Sequence, residues 1–139
     1  MPINVSLSRL LDERGLRPSP QRVAIFSHLY NNKGKHLTAE EIFDTLTPDY
    51  PTLSRTTVYQ TLDALCERGL VMRLAVDDGL MRFDAEISHH GHFKCERCKK
   101  IFDFFYAKHL TLHPPPLPPE GFLVKGTQFH YIGLCPKCQ

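Results

Sequence analysis

Hydrophobic residues recur at helical spacing in four segments of the first half of the chain. Residues 5 to 14 predict a first helix, and Gln21-Arg22 opens a second one. A capping box over residues 38–41 opens the third helix, because Thr38 and Glu41 can each satisfy a free backbone N–H. The fourth helix is predicted from Ser54, its N-cap, to about Arg68.

Two short extended runs follow the helices, Leu70 to Val76 and Leu80 to Phe83, around the turn Asp77-Asp78-Gly79. An Asp-Gly step between such runs predicts a β-hairpin. Helices followed by a hairpin indicate a winged helix-turn-helix, whose fourth helix would enter the major groove of DNA. The alternative is that its polar residues form an ordinary solvated helix surface. The candidates for DNA contact are Arg22, Arg55, Thr56, Thr57, Tyr59 and Gln60.

From His90 onward the hydrophobic pattern changes to the period of two that is typical of strands. Further apolar runs predict strands at Ile101 to Tyr106, Phe122 to Val124 and Phe129 to Leu134. The proline-rich residues 113–119 exclude a helix interior and predict an extended connection. The expected fold class is therefore α+β, a winged helix-turn-helix followed by a small α/β or mostly β domain.

The composition is that of a soluble globular protein, with 139 residues, 42% hydrophobic and 23% charged. A net charge of +2 means that any nucleic-acid surface must be a local patch. The sequence contains no apolar run of about 18 residues and no signal-peptide pattern at its start, so we expect a cytoplasmic protein without a membrane partner. In that compartment, Cys-x-x-Cys pairs are metal ligands or redox centres more often than disulfides.

Two such pairs are present, Cys95-x-x-Cys98 and Cys135-x-x-Cys138. Two Cys-x-x-Cys pairs separated by a long segment are typical of a structural tetrahedral zinc site. Four cysteines leave no coordination position for water or substrate, so this zinc would stabilise the fold and perform no chemistry. The alternative is an oxidoreductase dithiol.

Histidines and carboxylates cluster beside the first cysteine pair. His89, His90 and His92 lie between Asp84 and Asp103, and alternation along a strand places His90 and His92 on one face. Nitrogen and carboxylate ligands suit iron, manganese or zinc in an open or adjustable geometry. The sequence therefore indicates a second metal site of different chemistry.

In combination and in this order, the motifs resemble the ferric uptake regulator superfamily of metal-dependent bacterial repressors. The resemblance covers nearly the whole chain. It rests on Ser19-Pro20-Gln21-Arg22, His36-x-Thr38-Ala39-Glu40-Glu41-Ile42, Thr57-Val58-Tyr59-x-x-Leu62, Arg82-Phe83-Asp84, His89-His90-x-His92, Cys95-x-x-Cys98-x-Lys100-Ile101-x-Asp103-Phe104 and Gly133-x-Cys135-x-x-Cys138.

The resemblance implies a winged-helix DNA-binding domain over residues 1–84 and a zinc-containing dimerisation and metal-sensing domain over 85–139. It implies structural Zn2+ on the four cysteines and a regulatory site for Fe2+ or Mn2+, which Zn2+ could occupy in vitro. Residues 113–119 replace most of a helix that contacts the partner subunit in the family. The regulatory ligands carried over from the family are His36, Asp84, His90, His92 and Asp103.

Aspartate at position 103 resembles the peroxide-sensing branch of the superfamily, in which iron oxidises histidines at the positions of His36 and His90. The predicted function is therefore a homodimeric repressor that binds double-stranded operator DNA, takes no small-molecule substrate and is not an enzyme. Within the family, the alternative is an iron, zinc or nickel uptake regulator. The alternatives from other classes are a zinc-ribbon metalloenzyme or redox enzyme, and an interaction module that no longer reads DNA.

Overall fold

The computed structural model describes residues 3–75, 79–88, 91–104, 118–124 and 130–139. The chain divides into two compact units, Met1–Ser88 and His89–Gln139. Within the described ranges no helix is long and apolar enough to cross a membrane.

Four helices form the body of the first unit: α1 (Ile3–Glu13), α2 (Pro20–Tyr30), α3 (Ala39–Leu46) and α4 (Arg55–Glu67). The side chains of Ser19, Thr38 and Ser54 each accept a backbone N–H three residues ahead, which caps α2, α3 and α4. The four predicted helices are confirmed, although α1 begins two residues earlier than the pattern indicated.

A three-stranded sheet completes the unit in the order β1 (Leu37–Thr38), β3 (Met81–Asp84), β2 (Met72–Ala75). Strands β2 and β3 pair antiparallel as predicted, with Ala75 opposite Met81. The predicted turn lies outside the described residues except for Gly79, which has a φ of 76°. The two-residue strand β1 was not predicted, because so short a segment carries no periodicity. It pairs with β3 and so places His36 next to that strand.

Sixteen buried residues form one hydrophobic core in this unit. The inward stripe of α4 lies at its centre, since Val58, Leu62 and Leu65 are each 0% exposed. This core holds α4 with its other face turned to solvent. The core residues are Leu7, Leu11, Leu16, Ile25, Phe26, Leu29, Ala39, Ile42, Leu53, Val58, Leu62, Leu65, Leu70, Val71, Phe83 and Ala85.

The second unit is built on a sheet in the order β5 (Ile101–Phe104), β4 (Gly91–Cys95), β6 (His130–Gly133). Strand β5 pairs antiparallel with β4, whereas β6 pairs parallel to it. The parallel pairing was not predicted, because it depends on how the intervening chain crosses over.

The predicted strand at Phe122–Val124 is wrong, since these residues have irregular backbone and Leu123 is 83% exposed. Consecutive apolar residues do not define a strand by themselves, and Gly121, with a φ of 95°, turns the chain just before them. The predictions for Phe105-Tyr106, for residues 113–117 and for Phe129 fall outside the described residues.

Candidate metal centres and nucleic-acid face

The four cysteines converge at one end of the second sheet. One sulfur from each lies within 4.8 Å of the others, and the Sγ atoms of Cys98 and Cys135 are 3.9 Å apart. Tetrahedral zinc with Zn–S bonds of about 2.3 Å places neighbouring sulfurs about 3.8 Å apart. The backbone N–H groups of Cys98 and Cys135 point at the Sγ of Cys95, at 3.5 and 3.4 Å. The donor set and its spacing therefore fit zinc.

Hydrogen bonding within the cluster gives its thiols different pKa values. The backbone N–H of Cys135 lowers the pKa of the Cys95 thiol to about 6, whereas hydrogen bonding with the Cys135 side chain raises the pKa of Cys138 to about 12. The charged form of one thiol and the neutral form of another are thus favoured together. A bound divalent cation would remove this difference and allow all four sulfurs to ionise.

In the first unit, the carboxylate of Asp84 is held at the end of β3. Its side chain is 4% exposed and accepts the backbone N–H of Gly34 at 2.9 Å and that of Glu86 at 2.7 Å. Nε2 of His36 lies 3.8 Å from Oδ2 of Asp84. The role of Gly34 was not predicted, although the Asn-Asn-Lys-Gly turn before His36 was its signal.

The backbone of His36 adopts a φ of 54°, in the left-handed region that non-glycine residues rarely occupy. Such a conformation costs about 1–3 kcal/mol and persists only where the surroundings enforce it. Here the conformation directs a buried imidazole, 5% exposed, to the buried Asp84 carboxylate. Backbone strain concentrated at a buried histidine–carboxylate pair is typical of a functional site.

In the second unit, His92 on β4 lies directly opposite Asp103 on β5. The histidine is buried, and its Nε2 lies 3.3 Å from Oδ1 of Asp103. Metal–ligand bonds of about 2.1 Å at near-octahedral angles place two donors about 3 Å apart, so the pair fits two ligands of one ion. The other two histidines of the motif, His89 and His90, are outside the described residues.

Helix α4 carries five of the six predicted DNA contacts, and the sixth, Arg22, lies on α2. Thr56, Tyr59 and Gln60 are exposed, and Tyr59 is 48% accessible. Thr57 is half-buried, and its hydroxyl lies 2.9 Å from the Ser54 hydroxyl at the N-cap. The face therefore presents an aromatic ring and hydrogen-bonding groups, which are the types of side chain that read base edges.

Two arginines predicted to contact DNA are already engaged in the first unit. Nε of Arg55 donates to the Glu40 carboxylate at 3.1 Å, and its guanidinium lies over the Phe43 ring at 4.5 Å. Arg22 is half-buried and donates from Nη1 to the carbonyl of Arg17 at 2.7 Å. The contact of Arg55 with Glu40 was not predicted, because nothing in the linear pattern signals it.

The winged helix, the four-cysteine centre and the histidine–aspartate pairs define a class, a metal-binding protein with the fold of a DNA-binding regulator. The sequence profile of the Ferric uptake regulator family matches residues 13–129. The chain belongs to that family.

Known proteins of this family are similar to the chain along most of its length. The peroxide-responsive repressor PerR of Staphylococcus aureus is 35% identical over 129 residues, which are 93% of this chain and 86% of that protein. The structure of PerR from Streptococcus pyogenes matches with 28% identity and a TM-score of 0.54, covering 98% and 92% of the two chains. The ferric uptake regulator of Francisella tularensis, solved with iron, matches with 25% identity and a TM-score of 0.68, covering 86% and 92%.

Proposed function

We propose that this protein is a metal-dependent, DNA-binding repressor whose regulatory metal site senses peroxide. The observation that carries the proposal is the pair of buried histidine–carboxylate contacts, His36 with Asp84 and His92 with Asp103. Strained backbone positions cluster at functional sites, and His36 occupies such a position beside Asp84. The family resemblance adds His90, so the proposed regulatory ligands number five.

The proposed ligands come from both units, His36 and Asp84 from the first and the others from the second. A metal ion that binds all of them favours one arrangement of the two units over others, and its differential affinity sets the population of that arrangement. Loss of one ligand would release the arrangement without unfolding either unit. Metal-dependent DNA binding follows if the favoured arrangement is the one that fits the operator.

Peroxide sensing is favoured over simple metal sensing by two observations. Position 103 holds the aspartate that resembles the peroxide-sensing branch, and the 35% identical relative in Staphylococcus aureus is a peroxide-responsive repressor. Ferrous iron in the site would supply the one-electron chemistry that splits peroxide. His36 and His90 then provide the ring carbons that take up oxygen, whereas manganese on the same ligands would leave the rings intact.

The test is peptide mass spectrometry of the iron-loaded protein after stoichiometric peroxide. We expect a gain of one oxygen at His36 or His90, loss of operator binding in a gel shift, and neither change in the manganese-loaded protein. His113 is a matched control because it lies outside the proposed ligand set. Unmodified histidines with persistent DNA binding would identify the protein as a metal-uptake regulator, the second candidate function.

The proposed DNA interface is the exposed face of α4, with Tyr59 on bases and arginines on phosphates. Tyr59→Ala should weaken a specific operator more than random duplex, because base contacts carry sequence preference. Arg55→Ala should weaken both duplexes alike and lower the salt slope by about one charge. Glu67, exposed at the far end of α4, provides the control variant Glu67→Gln. Parent-like binding by the first two variants would rule out α4 as the reading helix.

We propose homodimerisation through the second unit. The side chains of Phe102 and Tyr131, on the outer strands β5 and β6, are 39% and 52% exposed. Both residues flank Phe93 of β4 on one face of the sheet, and a contiguous exposed apolar patch is typical of an interface. Sedimentation of the zinc-loaded protein tests the proposal, and a monomer at micromolar concentration would contradict it.

A further inference from the structure

Gly91 opens β4 directly before His92, and an aromatic ring occupies the space that a side chain at this glycine would take. A Cβ built on Gly91 would lie 2.6 and 2.9 Å from Cε2 and Cε1 of Phe104, and closer still to Cζ. These distances are shorter than any real Cβ contact, so no other residue fits at position 91 unless the Phe104 ring moves. Gly91 and Phe104 are directly opposite each other across β4 and β5.

The Phe104 ring continues across the central strand to the far strand of the sheet. It stacks on Tyr131 of β6 with ring centroids 5.9 Å apart and an interplanar angle of 23°. Strands β5 and β6 flank β4, so their backbones are about 10 Å apart at a strand spacing of about 4.8 Å. Tyr131 lies opposite Phe93, one pair further along this face, and the Phe104 ring reaches it over Gly91, where a Cβ would collide with the ring.

The aromatic contacts lie on the face opposite the metal ligands. Successive residues of a strand point to opposite faces, so Gly91 and Phe104 share one face while their neighbours His92 and Asp103 share the other. Gly133 on β6 repeats the arrangement, because a Cβ there would lie 3.3 Å from Cζ of Phe93. Aromatic rings thus cover glycines at two places on this face.

The register of β5 on β4 decides whether the ligand pair exists. A slip of one residue would turn Asp103 to the opposite face and separate it from His92. Within the described part of the chain, strand β5 contributes four residues, and few backbone hydrogen bonds there hold its register. The ring of Phe104, seated on Gly91 and stacked on Tyr131, ties all three strands together at the pair next to His92 and Asp103.

We infer that Gly91, Phe104 and Tyr131 form an aromatic clamp that positions the His92–Asp103 half of the regulatory metal site. The clamp residues are positioning residues, since they share the face opposite His92 and Asp103 and act through strand register. The inference rests on the proposed regulatory site and adds to it the means by which the second unit preorganises its ligands. Loss of groups that directly hold metal ligands lowers metal affinity by about 10–100-fold, and we expect the lower end of that range for residues that act through strand register.

The experiment is a titration of full-length, zinc-loaded protein with Mn2+, followed by the EPR signal of the free ion. Phe104→Leu keeps an apolar side chain but loses the ring, so we expect Mn2+ affinity to fall about tenfold while one zinc per chain is retained. Phe104→Tyr keeps the ring and should bind Mn2+ like the parent. This conservative rescue separates a positioning role from general loss of packing.

A double-variant cycle tests the coupling directly. Gly91→Ala should weaken Mn2+ binding at least as much as Phe104→Leu, because the added methyl group displaces the ring. Combining the two changes should restore part of the Mn2+ affinity that Gly91→Ala loses. The reason is that leucine lacks the ring that the alanine methyl group would meet. Should Phe104→Leu lose its zinc, the comparison of Gly91→Ala with the parent and with Phe104→Tyr decides the question.

The clamp is overturned if Phe104→Leu binds Mn2+ like the parent, or if the effects of the two changes simply add. The His92→Ala variant distinguishes this failure from failure of the proposed function. Parent-like Mn2+ binding by His92→Ala would overturn the regulatory site and the positioning role with it. A large loss in His92→Ala together with no loss in Phe104→Leu would overturn the clamp alone.

Discussion

Replacing Cys98 by serine should unfold the second unit while the first unit stays folded. Cys98 is the exposed member of the cysteine cluster, so the substitution removes a zinc ligand without opening a cavity in a core. Among the residues that the structure describes, the only buried apolar side chains of the second unit are Cys95 and Cys135, which belong to the cluster itself. The sixteen-residue core lies entirely within the first unit.

The size of the expected stability loss follows from this scarcity of buried apolar side chains among the described residues of the second unit. A structural zinc site contributes about 10–16 kcal/mol to folding, and all of this is lost when the ion is no longer bound. A unit as small as His89–Gln139 rarely gains more than about 3–5 kcal/mol from packing alone. Loss of the ion therefore removes more free energy than packing supplies, so the unit should unfold.

The assay combines zinc content by mass spectrometry with limited proteolysis. We expect Cys98→Ser to lose its zinc and to be cleaved throughout the second unit, leaving a resistant fragment close to residues 1–88. Cys66→Ser is the matched control, because Cys66 is half-buried on α4 and outside the cluster, and it should keep zinc and the parent pattern. A Cys98→Ser protein with one zinc per chain and parent-like proteolysis would refute the reasoning.

Three further predictions concern the first unit. Leu62→Ala should lower its free energy of unfolding by about 2–5 kcal/mol in urea denaturation, since Leu62 is 0% exposed in the core; a loss below 1 kcal/mol would contradict its central place. Thr38→Ala should cost about 1 kcal/mol through loss of the α3 cap, and Thr38→Ser should recover most of it. Burial raises the pKa of the Cys66 thiol to about 11, so the unfolded chain ionises first and stability should fall as pH rises from about 9 to 11. Thermal melts of Cys66→Ala should lack that fall.

The sequence by itself determined the helices and the metal-ligating residue types. Capping residues such as Thr38 and Ser54 interact with backbone only three residues away, so local sequence specifies them. The spacing of the two Cys-x-x-Cys pairs likewise indicated a tetrahedral centre, because each pair acts through a short local turn. These features depend on neighbours in the chain, which is why the pattern alone revealed them.

Only the tertiary structure decided the features that join distant residues. Two contacts join segments that are far apart in the sequence: the Gly34 N–H donates to Asp84, and Arg55 donates to Glu40. The left-handed backbone of His36 likewise could not be read from the hydrophobic pattern. The parallel pairing of β6 with β4 is of the same kind, and it alone brings Tyr131 within reach of Phe104 across Gly91. Strand register and side-chain packing are set by the free energy of the whole unit, and no short stretch of sequence contains that information.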